Sequence, residues 1–177
     1  FRPDAKSSGA RQQLISLGNG FGYFVSSDNR LYAFGNNSSG QRGATSSVES
    51  ATVTQVNLAN SGSVLTVAAG LTRSRRYTTT TNIATYDTES NQITVDAQYV
   101  DSDDYLSGAL TETGLFVWNK SQSATNIIEK FKAFGVSADR ASANRIATIF
   151  SGYGNNLFAI SSLGKMFRIS YNTDAGD

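Results

Sequence analysis

The chain has 177 residues, with 15 lysines and arginines against 14 aspartates and glutamates, and it has neither histidine nor cysteine. This length fits one domain with a sizeable core. A net charge of +1 gives no general attraction to nucleic acid, and the chain has no apolar run of about 18 residues that could insert in a membrane. The missing residue types exclude disulfides, thiolate metal sites and the commonest general base.

The composition favours a folded protein rich in β-structure. Charged residues make up 16% of the chain, against about 25% in average soluble domains, and serine, threonine, asparagine and glycine supply the polarity. The 8 tyrosines and 10 phenylalanines need a core to bury them. A composition of this kind is typical of secreted or virion-surface proteins, so we expect an extracellular or virion-surface location.

The first recognisable unit, within residues 14–35, is a strand followed by a hairpin. Two apolar strands flank the turn Asp28-Asn29, and asparagine accepts the positive φ that such turns require. The run from Leu31 to Phe34 alternates between the two faces of a strand. Two short glycine-containing motifs follow it, Gly35-Asn36-Asn37 and Gly40-Gln41-Arg42-Gly43.

Two further segments resemble this unit. The second copy is split between residues 64–70 and 107–119, and the third spans residues 147–170, with its hairpin turn at Leu163-Gly164. The interval from Tyr32 to Phe116 is 84 positions and that from Phe116 to Phe167 is 51. The excess is close to the length of residues 71–104, which are therefore interpreted as an insertion within the second copy.

The insertion begins basic and ends acidic. The residues predicted to contact a partner are Arg73, Arg75, Arg76, Tyr77, Asp101, Asp103 and Asp104. Arginine and tyrosine are frequent anchors of protein interfaces. The alternative is a solvated hairpin whose charges serve solubility. The acidic run lacks the glycine and distal glutamate of an EF-hand loop, so no metal site is predicted.

The aromatic residues of the three copies have two interpretations. They could stack on sugars, but large rings at regular repeat positions are predicted to pack sheet against sheet. The residues concerned are Tyr23, Phe24, Tyr32, Phe34, Phe116, Trp118, Phe158 and Phe167.

Residues 127–135 have two interpretations as well. The spacing of their apolar residues suits a short helix ended by Gly135, whereas their place in the repeat favours a strand, which is our prediction.

The first unit resembles the repeats of the regulator of chromosome condensation family. The resemblance rests on a glycine before the hairpin, the apolar hairpin itself, and the motifs Gly-Asn-Asn and Gly-Gln-x-Gly. Arg42 stands where that family has an apolar residue. The resemblance implies an all-β fold of propeller-like blades of short antiparallel strands. One domain, residues 1–177, would hold copies at about 14–58, 64–131 and 146–171. Closed propellers typically have about 4–8 blades. We therefore expect an incomplete or open propeller, whose exposed edges are covered by further sequence, a neighbouring subunit or the insertion.

The predicted function is non-enzymatic: a structural and protein-binding module that docks protein partners, or other copies of itself, through loops. No catalytic or cofactor-binding residues are predicted, because the glycine-rich residues 18–22 lack the lysine of a P-loop and no histidine can activate a serine. Nucleic acid and membrane insertion are not expected. The alternatives are a guanine-nucleotide exchange factor, which the resemblance suggests, and a carbohydrate-binding appendage such as a viral tail protein.

Overall fold

The computed structural model describes residues 14–38, 40–43, 52–70, 74–77, 84–87, 92–95, 99–102, 105–119, 122–137, 139–152 and 156–170. Its strands in chain order are β1 (Ile15–Leu17), β2 (Phe21–Val25), β3 (Leu31–Gly35), β4 (Thr54–Gln55), β5 (Val64–Ala68), β6 (Ser74–Tyr77), β7 (Ala84–Asp87), β8 (Gln92–Val95), β9 (Tyr99–Ser102), β10 (Ser107–Thr111), β11 (Leu115–Asn119), β12 (Gln122–Asn126), β13 (Ile146–Ser151), β14 (Asn156–Ser161) and β15 (Met166–Ser170). A short helix, α1 (Glu129–Lys132), lies between β12 and β13. The fold is all-β, as predicted.

The first sheet is a four-stranded antiparallel meander in the order β1-β2-β3-β4. Its central hairpin turns at Asp28-Asn29, as expected, and Asn29 has φ 62. The Asp28 carboxylate accepts hydrogen bonds from the Ser26 hydroxyl and the Arg30 backbone N–H. These local bonds stabilise the tight connection between β2 and β3.

The second sheet has the order β12-β11-β10-β5. Its two central strands, β10 and β11, are buried along their whole length. The strands β6 to β9 lie between β5 and β10 in sequence but pair among themselves: β6 with β9, and β7 with β8. We call residues 71–104 the arm. Because β5 and β10 pair directly, the arm leaves and re-enters the sheet at one place.

The third sheet has three described strands, in the order β13-β14-β15. Its second hairpin turns at Leu163-Gly164, as predicted, and Gly164 has φ 80. The strand that we expected at 127–135 is wrong, because β12 ends at Asn126 and α1 follows. Ile128, directly before the helix, and Phe131 within it are both buried, and Gly135 ends the turn with φ 69.

The second sheet is the middle layer of an open, propeller-like arrangement. Alternate residues of its strands face opposite sides, as the pleat requires. Towards the first sheet it buries Val67, Ala109, Phe116 and Trp118. Towards the third sheet it buries Ala68, Leu110, Leu115 and Val117.

The three sheets meet through their first strands. β5 lies against β1 and β2 on one side and against β13 on the other. First strands that adjoin in this way correspond to the inner strands around the axis of a propeller. Among the described residues, no helix has the length and apolar character that crossing a membrane demands.

Candidate interaction surfaces

The arm holds the residues that the sequence predicted to bind a partner. Arg75, Arg76 and Tyr77 lie on β6, and Asp101 lies on β9, where Arg75 is the direct cross-strand partner of Asp101. Residues 73, 103 and 104, which complete the predicted set of Arg73, Asp103 and Asp104, lie outside the described residues. The described part of the predicted set thus lies on two paired strands of the arm, β6 and β9.

A buried polar cluster joins the first two sheets. The Trp118 indole N–H donates to the Tyr23 hydroxyl oxygen at 3.0 Å and to the Gln41 carbonyl oxygen at 3.2 Å. The Tyr23 hydroxyl in turn donates to the Gln41 carbonyl. Burial raises the pKa of Tyr23 above its ordinary value, more than its bonds with Ser107 and Trp118 lower it. The cluster therefore stays neutral and is sealed from solvent, which suits a structural role.

The Gly-Gln-x-Gly loop lies over this cluster. Arg42, where an apolar residue was expected, is buried, and its guanidinium donates to the Thr52 carbonyl oxygen at 2.7 Å. Its backbone N–H donates to the Asn37 side-chain oxygen at 2.9 Å. A long arginine side chain is accommodated here because its charged end reaches a backbone acceptor.

The outer face of the first sheet is apolar and partly exposed. Ile15 and Leu17 on β1 are 57% and 63% exposed. Beside them, the Phe24 and Tyr32 rings stack with centroids 5.5 Å apart. Phe34 lies against Phe24 on the same face. Clustered apolar side chains at a surface are typical of a contact site.

The outer face of the third sheet has similar character. The rings of Phe150 and Phe158, which are cross-strand partners, stack with centroids 5.3 Å apart. Met166 on the neighbouring strand is largely exposed. Both ends of the three-sheet arrangement thus present aromatic and aliphatic side chains to solvent.

The predicted packing of the aromatic residues is confirmed in part. Tyr23, Phe116 and Trp118 are buried between the first two sheets, and Phe167 packs on the core between the second and third. The remaining four, Phe24, Tyr32, Phe34 and Phe158, are only partly buried. They stack within their own sheets, because no described sheet covers them.

Sequence patterns did not identify the two outer faces as surfaces. Apolar residues at successive positions of β3 and β14 show that both faces of each strand are apolar. They do not show which face has a neighbour. Within the described part of the chain, no three carboxylates lie close enough together to hold a metal ion.

Comparison with known proteins supports the identification of the first unit. Residues 13–41 match the family model "Regulator of chromosome condensation (RCC1) repeat", a range that includes β1, β2 and β3. A search of curated proteins gives no match. The crystal structure of human WBSCR16 is among the similar solved structures, at 16% identity and a TM-score of 0.39, over 93% of this chain and 49% of that one. The chain thus spans about half the length of that structure.

The family match supports a propeller-type protein-interaction module. It covers one repeat, so the count of three copies and the assignment of the arm as an insertion stay predictions. The same holds for the domain limits and for the partner-binding residues of the arm.

Proposed function

We propose that the chain is a non-enzymatic interaction module that assembles with other copies of itself through the outer faces of its first and third sheets. The observation that carries the proposal concerns the third strand of each sheet. On β11, Phe116 and Trp118 are buried against the preceding sheet. On β3, which has the same place in its sheet, Tyr32 and Phe34 face outward and are only partly buried.

The third sheet offers a matching surface. Each sheet has one face towards the next sheet in the chain, its forward face, and one towards the preceding sheet, its backward face. Within the chain, the forward face of one sheet packs on the backward face of the next. The outer faces of the third and first sheets are a forward and a backward face, so a head-to-tail contact between copies would repeat the internal packing. Such heterologous contacts close into rings or extend into filaments. An extracellular or virion-type assembly, which the composition favours, is the setting that we propose.

Sedimentation velocity over a wide concentration range tests this proposal. We expect wild-type chain to form assemblies that dissociate on dilution. Leu17→Lys places a charge on the outer face of the first sheet and should shift the equilibrium to monomer. Leu163→Lys is the matched control, because Leu163 is also exposed but lies in a hairpin turn.

Both variants should keep the wild-type circular dichroism spectrum, since both side chains are exposed. A wild-type chain that remains monomeric at the highest concentration contradicts the proposal. So does a Leu17→Lys variant that assembles as well as the control.

A further inference from the structure

A cleft of about 730 Å³ lies along β15, which is the last described strand of the third sheet. One wall is β15, from Met166 to Ser170, and the opposite wall is formed by the end of β12 and by α1 with the residues around it, while Leu106 and Val117 of the second sheet also line the cleft. All five residues of β15 line this cleft. Because successive side chains of a strand point to opposite faces, a strand can present all its residues to one cleft only along its edge.

The edge of β15 is uncovered by any described strand. The third strands of the other two sheets are each followed by a fourth, β4 beside β3 and β12 beside β11. In the third sheet, the described residues include no strand beside β15 other than β14. A free edge exposes a row of backbone donors and acceptors that can pair with an added strand.

The register shows which backbone groups point into the cleft. The Ser161 N–H donates to the Lys165 carbonyl oxygen at 2.8 Å, which makes these two residues a hydrogen-bonded pair. In an antiparallel ladder such pairs alternate with non-bonded ones. Lys165, Phe167 and Ile169 therefore bond to β14. The N–H and C=O groups of Met166, Arg168 and Ser170 point away from it, to the open side.

The side chains around this edge combine aromatic rings with positive charge. Phe134 is 56% exposed and lies 5.5 Å from Phe167, measured between ring centroids. The Lys165 ammonium group lies 5.5 Å from the centre of the Phe134 ring.

Lys130 and Arg168 line the cleft as well. Within the described part of the chain neither forms an ion pair, whereas the acidic residue of this cleft, Glu129, is paired with Lys132 at 2.7 Å. The cleft therefore carries excess positive charge beside an apolar surface.

We propose that this cleft binds an extended acidic peptide of a partner protein, which adds to β15 as a fourth strand. The peptide backbone would pair with the outward groups of Met166, Arg168 and Ser170. Its apolar side chains would contact Phe134 and Phe167, and its carboxylates would lie near Lys130, Lys165 and Arg168. Backbone pairing supplies affinity in this mode of recognition, and the side chains supply specificity. This edge adjoins the outer face of the third sheet, because Met166 and Arg168 share that face with their cross-strand partners Ile160 and Phe158.

Fluorescence anisotropy with a labelled peptide of alternating glutamate and valine, long enough to span β15, tests the proposal on the full chain. We expect binding that weakens with salt, and no binding of the corresponding lysine–valine peptide. Methylation of alternate peptide amides separates strand addition from simple charge attraction. Methylation of the alternate amides that face β15 should abolish binding, and methylation of the amides between them, which face away, should preserve it.

Variants of the chain make the test specific. Ser170→Pro removes an N–H that points into the cleft and takes no part in the ladder with β14, so the sheet is retained while an edge bond is lost. Arg168→Glu reverses a charge at the edge. Each should weaken peptide binding roughly tenfold. Arg30→Glu, the same charge change at an exposed turn of the first sheet, should bind as wild type does.

Several outcomes would overturn the proposal. The first is that no peptide binds to the wild-type chain. The second is that both sets of methylated peptides lose binding equally. The third is that Arg30→Glu weakens binding as much as Arg168→Glu does. Binding that appears only after removal of residues 171–177 would assign the edge to the chain's own terminus. Binding that appears only when dilution has separated the copies would assign it to a second copy.

Discussion

Trp118 donates its indole N–H to the hydroxyl oxygen of Tyr23, 95 positions away in sequence, and their two rings meet edge to face with centroids 5.3 Å apart. Both side chains are fully buried. The contact joins β11 of the second sheet to β2 of the first. Because the Gln41 carbonyl accepts from both side chains, the Gly-Gln-x-Gly loop is held to the junction of the two sheets.

Removal of the Tyr23 hydroxyl should destabilise the chain and couple strongly to Trp118. Tyr23→Phe deprives the buried Gln41 carbonyl of one donor and should lower the free energy of unfolding by about 1–2 kcal/mol. In a double-mutant cycle with Trp118→Phe, measured by urea unfolding, we expect an interaction energy of about 0.5–3 kcal/mol. Tyr23→Phe with Ile149→Val, a position in the other core, should be additive. Additivity in both cycles would contradict the linked cluster.

Alkaline pH should destabilise the fold through its buried tyrosines. Burial raises the pKa of Tyr23 and also that of Tyr105. Above pH about 10 the unfolded chain loses these protons while the folded chain keeps them, so the unfolded state binds fewer protons and stability falls as pH rises. The stabilisation is complete below that pH. The loss should approach about 1.4 kcal/mol per pH unit for each tyrosine.

Urea unfolding at several alkaline pH values measures this slope. Tyr23→Phe should remove the contribution of one tyrosine, so the free energy of unfolding should fall less steeply with pH. The double variant with Tyr105→Phe should remove the contributions of both tyrosines. A slope that Tyr23→Phe leaves unchanged would argue against retention of the Tyr23 proton in the folded state.

The hairpins were predictable because their information is local. Asn29 and Gly164 occupy turns that need positive φ, and the flanking residues alternate. In β3, Leu31 and Ala33 are buried while Tyr32 and Phe34 are not. Local patterns therefore determined the strands and their faces.

Relations between sheets were not predictable in the same way. The bond between Trp118 and Tyr23 depends on how two sheets pack, and no spacing in the sequence encodes it. At α1 the repeat position predicts a strand, whereas the spacing of Ile128 and Phe131 suits the helix that forms. The sequence does not predict the cleft, because the cleft depends on how α1 lies against β15 and on the absence of a described strand beside β15.

Two glycines with positive φ, Gly35 and Gly135, should respond differently to alanine. Gly35 has φ 88, and a Cβ there would clash with the Gly20 carbonyl oxygen. Gly135 has φ 69, and a Cβ there would meet nothing within 4 Å. Gly135→Ala should therefore lower the free energy of unfolding by about 1–2 kcal/mol, which is the usual cost of positive φ for a residue with a Cβ. Gly35→Ala should lose more, because β2 must also move. Thermal unfolding compares them, and equal losses would contradict the close approach of Gly20 and Gly35.

Excision of the arm should leave the three sheets intact. The described strands of the arm pair only with one another, and β5 and β10 are already neighbours, with Ala68 opposite Gly108. The end of β5 lies close to its return point, since a Cβ at Gly70 would be 2.6 Å from the Leu106 carbonyl oxygen. An Asn-Gly turn can therefore replace residues 71–104. We expect a cooperative unfolding transition within a few degrees of the full chain.

The same excised chain separates the arm from the other surfaces. If the arm binds a partner, as its residues Arg75 and Asp101 predict, that binding should be lost. Self-assembly and binding of the acidic peptide should persist, because their surfaces lie on the outer faces and at the edge of β15. Matched experiments on the two chains, by sedimentation velocity and anisotropy, give this comparison. The described strands of the arm pair only with one another and should contribute little to the packing between the sheets. Loss of cooperative unfolding on excision would contradict this and would make the arm part of the core.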